Sequence, residues 1–182
     1  TKIIIEGGIT TIPLAAFKNY TSLKTVNLSD KITDISSNAF SGCTNLETIN
    51  LPDSLIFIGD STFANCSNLI LTELPKNLQY IGSAGGHTFE NCTKLSLTSL
   101  PDTIDGILDY TFSGCINLSL TELPSSVSWI GNGAFKGCAN LKLTRIPSRI
   151  YDLGKYAFQD CTNLTMMKLP GNFERIDEGT FA

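Results

Sequence analysis

Phenylalanine recurs at Phe17, Phe40, Phe63, Phe89, Phe112, Phe135, Phe158 and Phe181, at steps of 23 residues with one step of 26. A comb this regular constrains the chain to a stack of like coils. One coil of that length cannot bury its own apolar face and must rest on its neighbours. Such a stack presents a surface and brings no chemistry of its own.

Other columns keep the same phase. Two residues after the Phe, several coils place Gly or Asn. One residue later comes Cys43, Cys66, Cys92, Cys115, Cys138 or Cys161, with Tyr20 in that column of the second coil. Apolar columns follow, shown in one coil by Leu46, Leu51, Leu55 and Ile58. From the third coil on, the second of these is followed at once by Pro52, Pro75, Pro101, Pro124, Pro147 or Pro170. About six apolar side chains per coil therefore share fixed positions. Leu46 to Leu51 has the length and composition of a short strand. Pro52, without an amide hydrogen, ends its ladder. Ile58-Gly59 suits a tight bend, because Gly adopts positive φ. Ser61 to Asn65 is expected to form one short helical or 3₁₀ turn that tucks Phe63 inward.

From Cys43 to Cys66 the chain reads CTNLETINLPDSLIFIGDSTFANC. This pattern resembles the BspA-like branch of the leucine-rich repeats, and the resemblance covers essentially the whole chain. It implies a leucine-rich-repeat solenoid: a right-handed superhelix of 23-residue repeats with parallel strands on the concave face and short helical or 3₁₀ turns and bends elsewhere. Residues 1–182 are read as one domain of seven full repeats and a partial first one. The resemblance also implies a surface-exposed or secreted protein of an anaerobic bacterium or parasitic protist. Some family members are implicated in adhesion to host matrix proteins and to other cells.

The net charge is −4, without a basic run or interleaved basic and aromatic residues, which argues against nucleic acid as a partner. No apolar run approaches the ~20 residues of a membrane span. The chain begins without Met, shows no signal peptide and has no apparent polar end caps, so it is expected to be a piece of a longer protein. Residues 1–135 hold 6 Lys/Arg and 12 Asp/Glu, and residues 136–182 hold 7 and 5. The basic end (Lys136, Lys142, Arg145, Arg149, Lys155, Lys168, Arg175) is either a solvated face or a docking end for an acidic partner.

Each cysteine is a full coil from the next, unlike the clustered ligands of a metal site. Rungs ~4.8 Å apart would permit disulfides by distance, but parallel side chains suit packing better than the disulfide torsion. Free, buried thiols are expected. His87, the only histidine, lies in the three-residue insertion SAGGHTF, which is expected to bulge as a loop. Cys92 is near it in sequence, but a core thiol is inert and no third group orients the pair, so catalysis is not expected. Leu108 takes the place of Gly59, Gly82, Gly131 and Gly154, with Gly106 two residues earlier as a shifted bend. Asp102, Asp105 and Asp109 nearby lack the ligand density and turn glycine of a calcium loop. Neither metal nor cofactor is expected.

The strand motif has two forms. The second and third coils carry Thr25-Val26 and Thr48-Ile49. The fourth to seventh carry Leu71-Thr72, Leu97-Thr98, Leu120-Thr121 and Leu143-Thr144, and the last has Met166-Met167. Strict alternation would expose those leucines as a binding stripe. A local bulge would instead turn them into the core and leave Thr at the bend. The bulge is expected, because four exposed leucines are costly in water. The next position is polar throughout: Asn27, Asn50, Glu73, Ser99, Glu122, Arg145 and Lys168. This row faces outward and is the expected ligand contact, with His87 on its loop and Trp129 as further candidates. Trp129 and Phe57, each before an Ile-Gly step, are exposed hot spots or half-buried packing residues. Asn45, Asn68, Asn117, Asn140 and Asn163 suggest an amide ladder between coils. The N-x-S/T triplets at Asn19, Asn27, Asn65, Asn91, Asn117 and Asn163 arise mostly from the repeat.

The resulting functional expectation is a non-catalytic module that binds a protein, such as a host matrix or cell-surface protein, from a secreted or cell-surface location. A spacer without a ligand of its own is the alternative, and an enzyme is the remote one.

Overall fold

In the computed structural model all residues are described except 166, 172, 174 and 175, so the expectations for Met166 and Arg175 fall outside the described residues. Among the described residues ten short strands pair in parallel, each with the equivalent residues one coil away. One sheet joins β1 (Lys2–Ile4), β3 (Thr25–Asn27) and β5 (Thr48–Asn50). A second joins β2 (Thr11–Ile12), β4 (Asp34–Ile35), β6 (Phe57–Ile58) and β7 (Tyr80–Ile81). A third, on the same column as the second, joins β8 (Gly106–Ile107), β9 (Trp129–Ile130) and β10 (Asp152–Leu153). The two are interrupted where the three extra residues enter. The Ile58 column, expected to be a bend, is thus itself a strand column.

The phenylalanine rings form one continuous stack. From Phe17 to Phe181 neighbouring centroids lie 5.2–5.7 Å apart, with planes within 13° of parallel. Phe40 to Phe158 are fully buried, and each such ring removed from water contributes about 3 kcal/mol. Phe181, with a ring on one side, is 42% exposed, and Ile176 leaves its otherwise buried column at 53%. Tyr20, at 39% exposed, fills the cysteine column only in part, whereas the cysteines themselves are buried.

No helix forms around the Phe. Residues two before it (Ala15, Asn38, Ser61, His87, Tyr110, Gly133, Tyr156, Gly179) and two after it (Asn19, Gly42, Asn65, Asn91, Gly114, Gly137, Asp160) have positive φ, which breaks any helical run. Each coil instead aims three N–H groups at the next. Tyr110, Phe112 and Gly114 donate to the carbonyls of Asn132, Ala134 and Lys136 at 2.7–2.9 Å. Left-handed backbone costs roughly 1–2 kcal/mol at a non-Gly residue, and these inter-coil bonds offset it.

The core glycines serve close approach. A Cβ on Gly59 would lie 2.4 Å from the Ser37 nitrogen, and one on Gly131 would lie 2.6 Å from that of Asp109. Gly106 makes no bend: it lies in β8, where the Nε1–Cε2–Cζ2 edge of Trp129 occupies the space of a side chain.

Leu71, Leu97, Leu120 and Leu143 are buried while Thr72, Thr98, Thr121 and Thr144 are exposed, as the bulged arrangement requires. Between two fixed core leucines the six-residue segment has two patterns. Leu46 to Leu51 places its intervening inward side chain at Ile49; Leu69 to Leu74 places it at Leu71. In the second pattern two successive residues, Thr72 and Glu73, face water. The inter-coil bond also shifts, from Glu47 N–H on Lys24 O to Ser96 N–H on Leu71 O. The continuous strand ladder on this side therefore ends at β5, with a single parallel bridge between Arg145 and Lys168 farther along.

Candidate functional site

Beyond β5 this face opens into a groove of about 940 Å³. Its walls carry Ser99, Glu122, Arg145 and Lys168 of the polar row, joined by Lys76, Asp102 and Arg149. The floor is Leu100, Leu123, Ile146 and Leu169 with Pro101, Pro124, Pro147 and Pro170. Two consecutive outward residues per coil, followed by Leu-Pro, create this relief. The proline lacks an N–H to extend a ladder. Lys168 shares a parallel bridge with Arg145, holding two cations on neighbouring coils.

The electrostatics are those of exposed groups. Arg145 lies 3.9 Å from Glu122, both 71% exposed, and Lys76 lies 3.6 Å from Asp53. Such pairs are worth about 0–1 kcal/mol and leave the side chains free to re-pair. Among the described residues no carboxylate lies within ion-pair distance of Arg149 or Lys168.

The other candidates lie elsewhere. Asn50 is exposed, but its amide accepts from Leu28 N–H at 2.7 Å and donates to Leu28 O at 3.1 Å, so it holds the preceding coil. Glu73 is exposed on the row without lining the groove. Trp129 is half-buried on the other sheet column, in register with Gly106 and Asp152, and Phe57 is half-buried beside the exposed Tyr80.

His87 is not in the bulge. It occupies the ordinary left-handed position before Phe89, donates its N–H to Asp109 O, stacks on Tyr110 at 4.9 Å and places Nδ1 2.9 Å from Glu90 Oε2. The exposed extra residues are Ser83, Ala84 and Gly85. Both ends of that loop return to one carboxylate: Asp60 accepts from Ser83 N–H, Ser83 Oγ and Gly86 N–H at 2.8–2.9 Å. Burial raises the Asp60 carboxyl, but these donors outweigh it and hold it below its ordinary value.

All six cysteines are free and buried. Each thiol reaches the carbonyl of the Phe in the preceding coil, as in Cys115 Sγ to Phe89 O at 3.0 Å. Burial raises every one, Cys161 to about 12. A thiol so held supplies neither a nucleophile nor a metal ligand, and no group of metal-ligating residues gathers among the described residues. The asparagine ladder is real but exposed: Asn163 and Asn140 donate along the file to Asn140 and Asn117 at 3.1 and 3.3 Å, while Asn45 and Asn68 donate to backbone carbonyls. Among the described residues no helix is long and apolar enough to cross a membrane.

Sequence reasoning found the row and counted Arg149 in the basic end, but missed the groove that brings Arg149 beside the row. The Leu-Thr switch and the following Leu-Pro were the available signals.

The model of the BspA-type leucine-rich repeat region matches residues 1–85 and 83–182, in six copies. No curated protein is significantly similar to the chain. Among solved structures, a leucine-rich cell surface protein of Faecalibacterium prausnitzii is 29% identical, with a TM-score of 0.77 over 95% of this chain and 48% of its own. The leucine-rich repeat protein of T. pallidum is 28% identical, with a TM-score of 0.77 over 90% of this chain and 77% of its own. A leucine-rich repeat protein of Bacteroides ovatus is 25% identical, with a TM-score of 0.66 over 94% of this chain and 52% of its own. The chain thus spans about half the length of the F. prausnitzii and B. ovatus proteins.

Proposed function

Because the chain belongs to the BspA-type leucine-rich repeat family, we propose that it is a non-catalytic protein-binding module of a secreted or cell-surface protein, acting in adhesion to a host matrix protein or to another cell. Residues 1–182 act as one folding unit in this reading. The contact row is Asn50, Glu73, Ser99, Glu122, Arg145 and Lys168. The observation that carries the proposal is the groove, where four of these six line one recess with an apolar floor. A face preformed by stacked coils costs little ordering on binding. The F. prausnitzii relative, a cell surface protein by name, supports the location.

The test is a binding screen against immobilised matrix proteins and intact host cells. It compares the unmodified chain with a variant carrying Glu73→Lys, Glu122→Lys, Arg145→Glu and Lys168→Glu. Loss of at least about ten-fold in affinity is expected, the scale at which complementary charges act. Undiminished binding by the variant would remove the row from the interface, and absence of any partner would favour the spacer.

A further inference from the structure

We propose that the groove receives an extended peptide segment of about six residues, apolar at one end and acidic at the other. The inference rests on the strand-face reading above and names the chemistry of the partner.

Charge comes first. The chain is net −4, yet the groove gathers four cations (Lys76, Arg145, Arg149, Lys168) against two anions (Asp102, Glu122). The cations are not spread evenly. Arg145, Arg149 and Lys168 belong to the last two of the groove's five coils, and Asp102 and Glu122 to the second and third. Arg149 and Lys168 have no acidic partner among the described residues, and the Arg145–Glu122 pair is loose at 3.9 Å. One end of the recess is thus open to carboxylates from a ligand.

The floor argues for a peptide over a uniform polyanion. Pro101 beside Asp102, and Pro147, Leu169 and Pro170 in the two cationic coils, are half-exposed, so they offer apolar contact at both ends of the groove. Prolines present no N–H, so specificity here rests on side chains and not on a shared strand ladder. The interspersed Asp102 and Glu122 repel a chain that is anionic throughout. A peptide with carboxylates over the last two coils and uncharged apolar residues beside Asp102 and Glu122 suits both ends, with half-exposed prolines beneath each.

Length follows from the rung spacing. Lys76 and Lys168 are four coils apart, or roughly 19 Å at ~4.8 Å per rung. An extended chain advances ~3.3 Å per residue, so about six residues span the groove.

The probe is a fluorescein-labelled, capped hexapeptide of three apolar residues followed by three glutamates, read by fluorescence anisotropy at about 50 mM and 300 mM salt. Comparison peptides carry lysine for glutamate, or glutamate throughout. Saturable binding is expected for the mixed peptide alone, weakening at the higher salt as exposed pairs are screened. Arg149→Glu with Lys168→Glu is expected to weaken it about ten-fold, and Pro101→Glu to weaken it by a similar factor, with Trp129→Ala unchanged. Circular dichroism and melting of each variant verify that the stack is intact. Equal affinity of the charge-reversed variant, or no binding at millimolar peptide, would overturn the inference. So would a sulphated oligosaccharide that binds more tightly and depends on the same two cations. The two readings separate cleanly. If the four-site row variant loses a surface partner while the hexapeptide fails to bind, only the peptide inference falls. If the hexapeptide binds as expected and no surface partner is found, the adhesion reading falls alone.

Discussion

Raising the pH of the reduced protein from 8 to 10 is expected to destabilise it steeply, through the thiol column. Burial raises the thiols of Cys66, Cys92, Cys115, Cys138 and Cys161 far above their ordinary 9.0, the last to about 12. In the unfolded chain the same groups ionise near 9.0. Their contribution is therefore whole below pH 9 and is lost as pH rises toward the folded values. At pH 10 each thiol favours the unfolded chain by about 1.4 kcal/mol. Five together give about 7 kcal/mol, comparable with the whole stability of a typical domain at about 5–15 kcal/mol. The assay is urea unfolding at pH 8, 9, 9.5 and 10 in excess reductant, followed by Trp129 fluorescence and circular dichroism. Near pH 10 the unfolding free energy is expected to fall by about 6 kcal/mol per pH unit. Cys115→Ala, whatever its cost at pH 8, is expected to reduce that slope by about one proton's worth, about 1.2 kcal/mol per unit. A total slope under about 2 kcal/mol per unit, or a slope unchanged by Cys115→Ala, would show that the thiols ionise in the native stack and refute the reasoning.

The stack was legible in the sequence because every coil repeats the same inward positions. Phe, Cys and Leu recur at one phase, and the rings and thiols stand where that phase puts them. What the repeat hides is backbone conformation. Ala15, Ser61, His87, Tyr110 and Tyr156 share a left-handed column with Gly133 and Gly179, but no common residue type marks it. Inter-coil hydrogen bonds hold that conformation in place of side-chain preference, so a helical turn was the natural expectation. Glycine misled for a related reason. Gly59 and Gly131 suggested a turn, whereas the neighbouring coil's backbone excludes a Cβ there. The row of polar residues was readable from polarity at one fixed position of the repeat. Which part of it becomes a groove depends on whether the middle inward residue sits at Ile49 or at Leu71, a one-place shift at constant length. Arg149 was read only as part of the basic end and not joined to the row, because it follows the proline, on a segment that reads as connection. His87 was misplaced because the insertion bulges before it, at the residues Asp60 clamps.

Two further outcomes test the packing. Gly131→Ala sets a Cβ against the Asp109 nitrogen and within 2.9 Å of the Leu108 carbonyl carbon, both backbone, so it is expected to cost about 1–3 kcal/mol in urea unfolding. Gly171→Ala, with nothing within 4 Å, is expected to stay within about 0.5 kcal/mol; equal costs would refute the close-approach argument. Asp60→Asn replaces the carboxylate that gathers Ser83 and Gly86, and is expected to speed amide hydrogen exchange at Gly86 while leaving Phe112 protected, since the clamp is local. The Asp60 carboxyl is held low in the folded chain, so its contribution is present above 3.8 and is lost as pH falls through the lower folded value. Gly86 exchange, corrected for its intrinsic pH dependence, is therefore expected to accelerate on acidification in the unmodified chain and to stay flat in Asp60→Asn. Identical acid profiles in the two proteins would mean that the loop is closed by something other than that carboxylate.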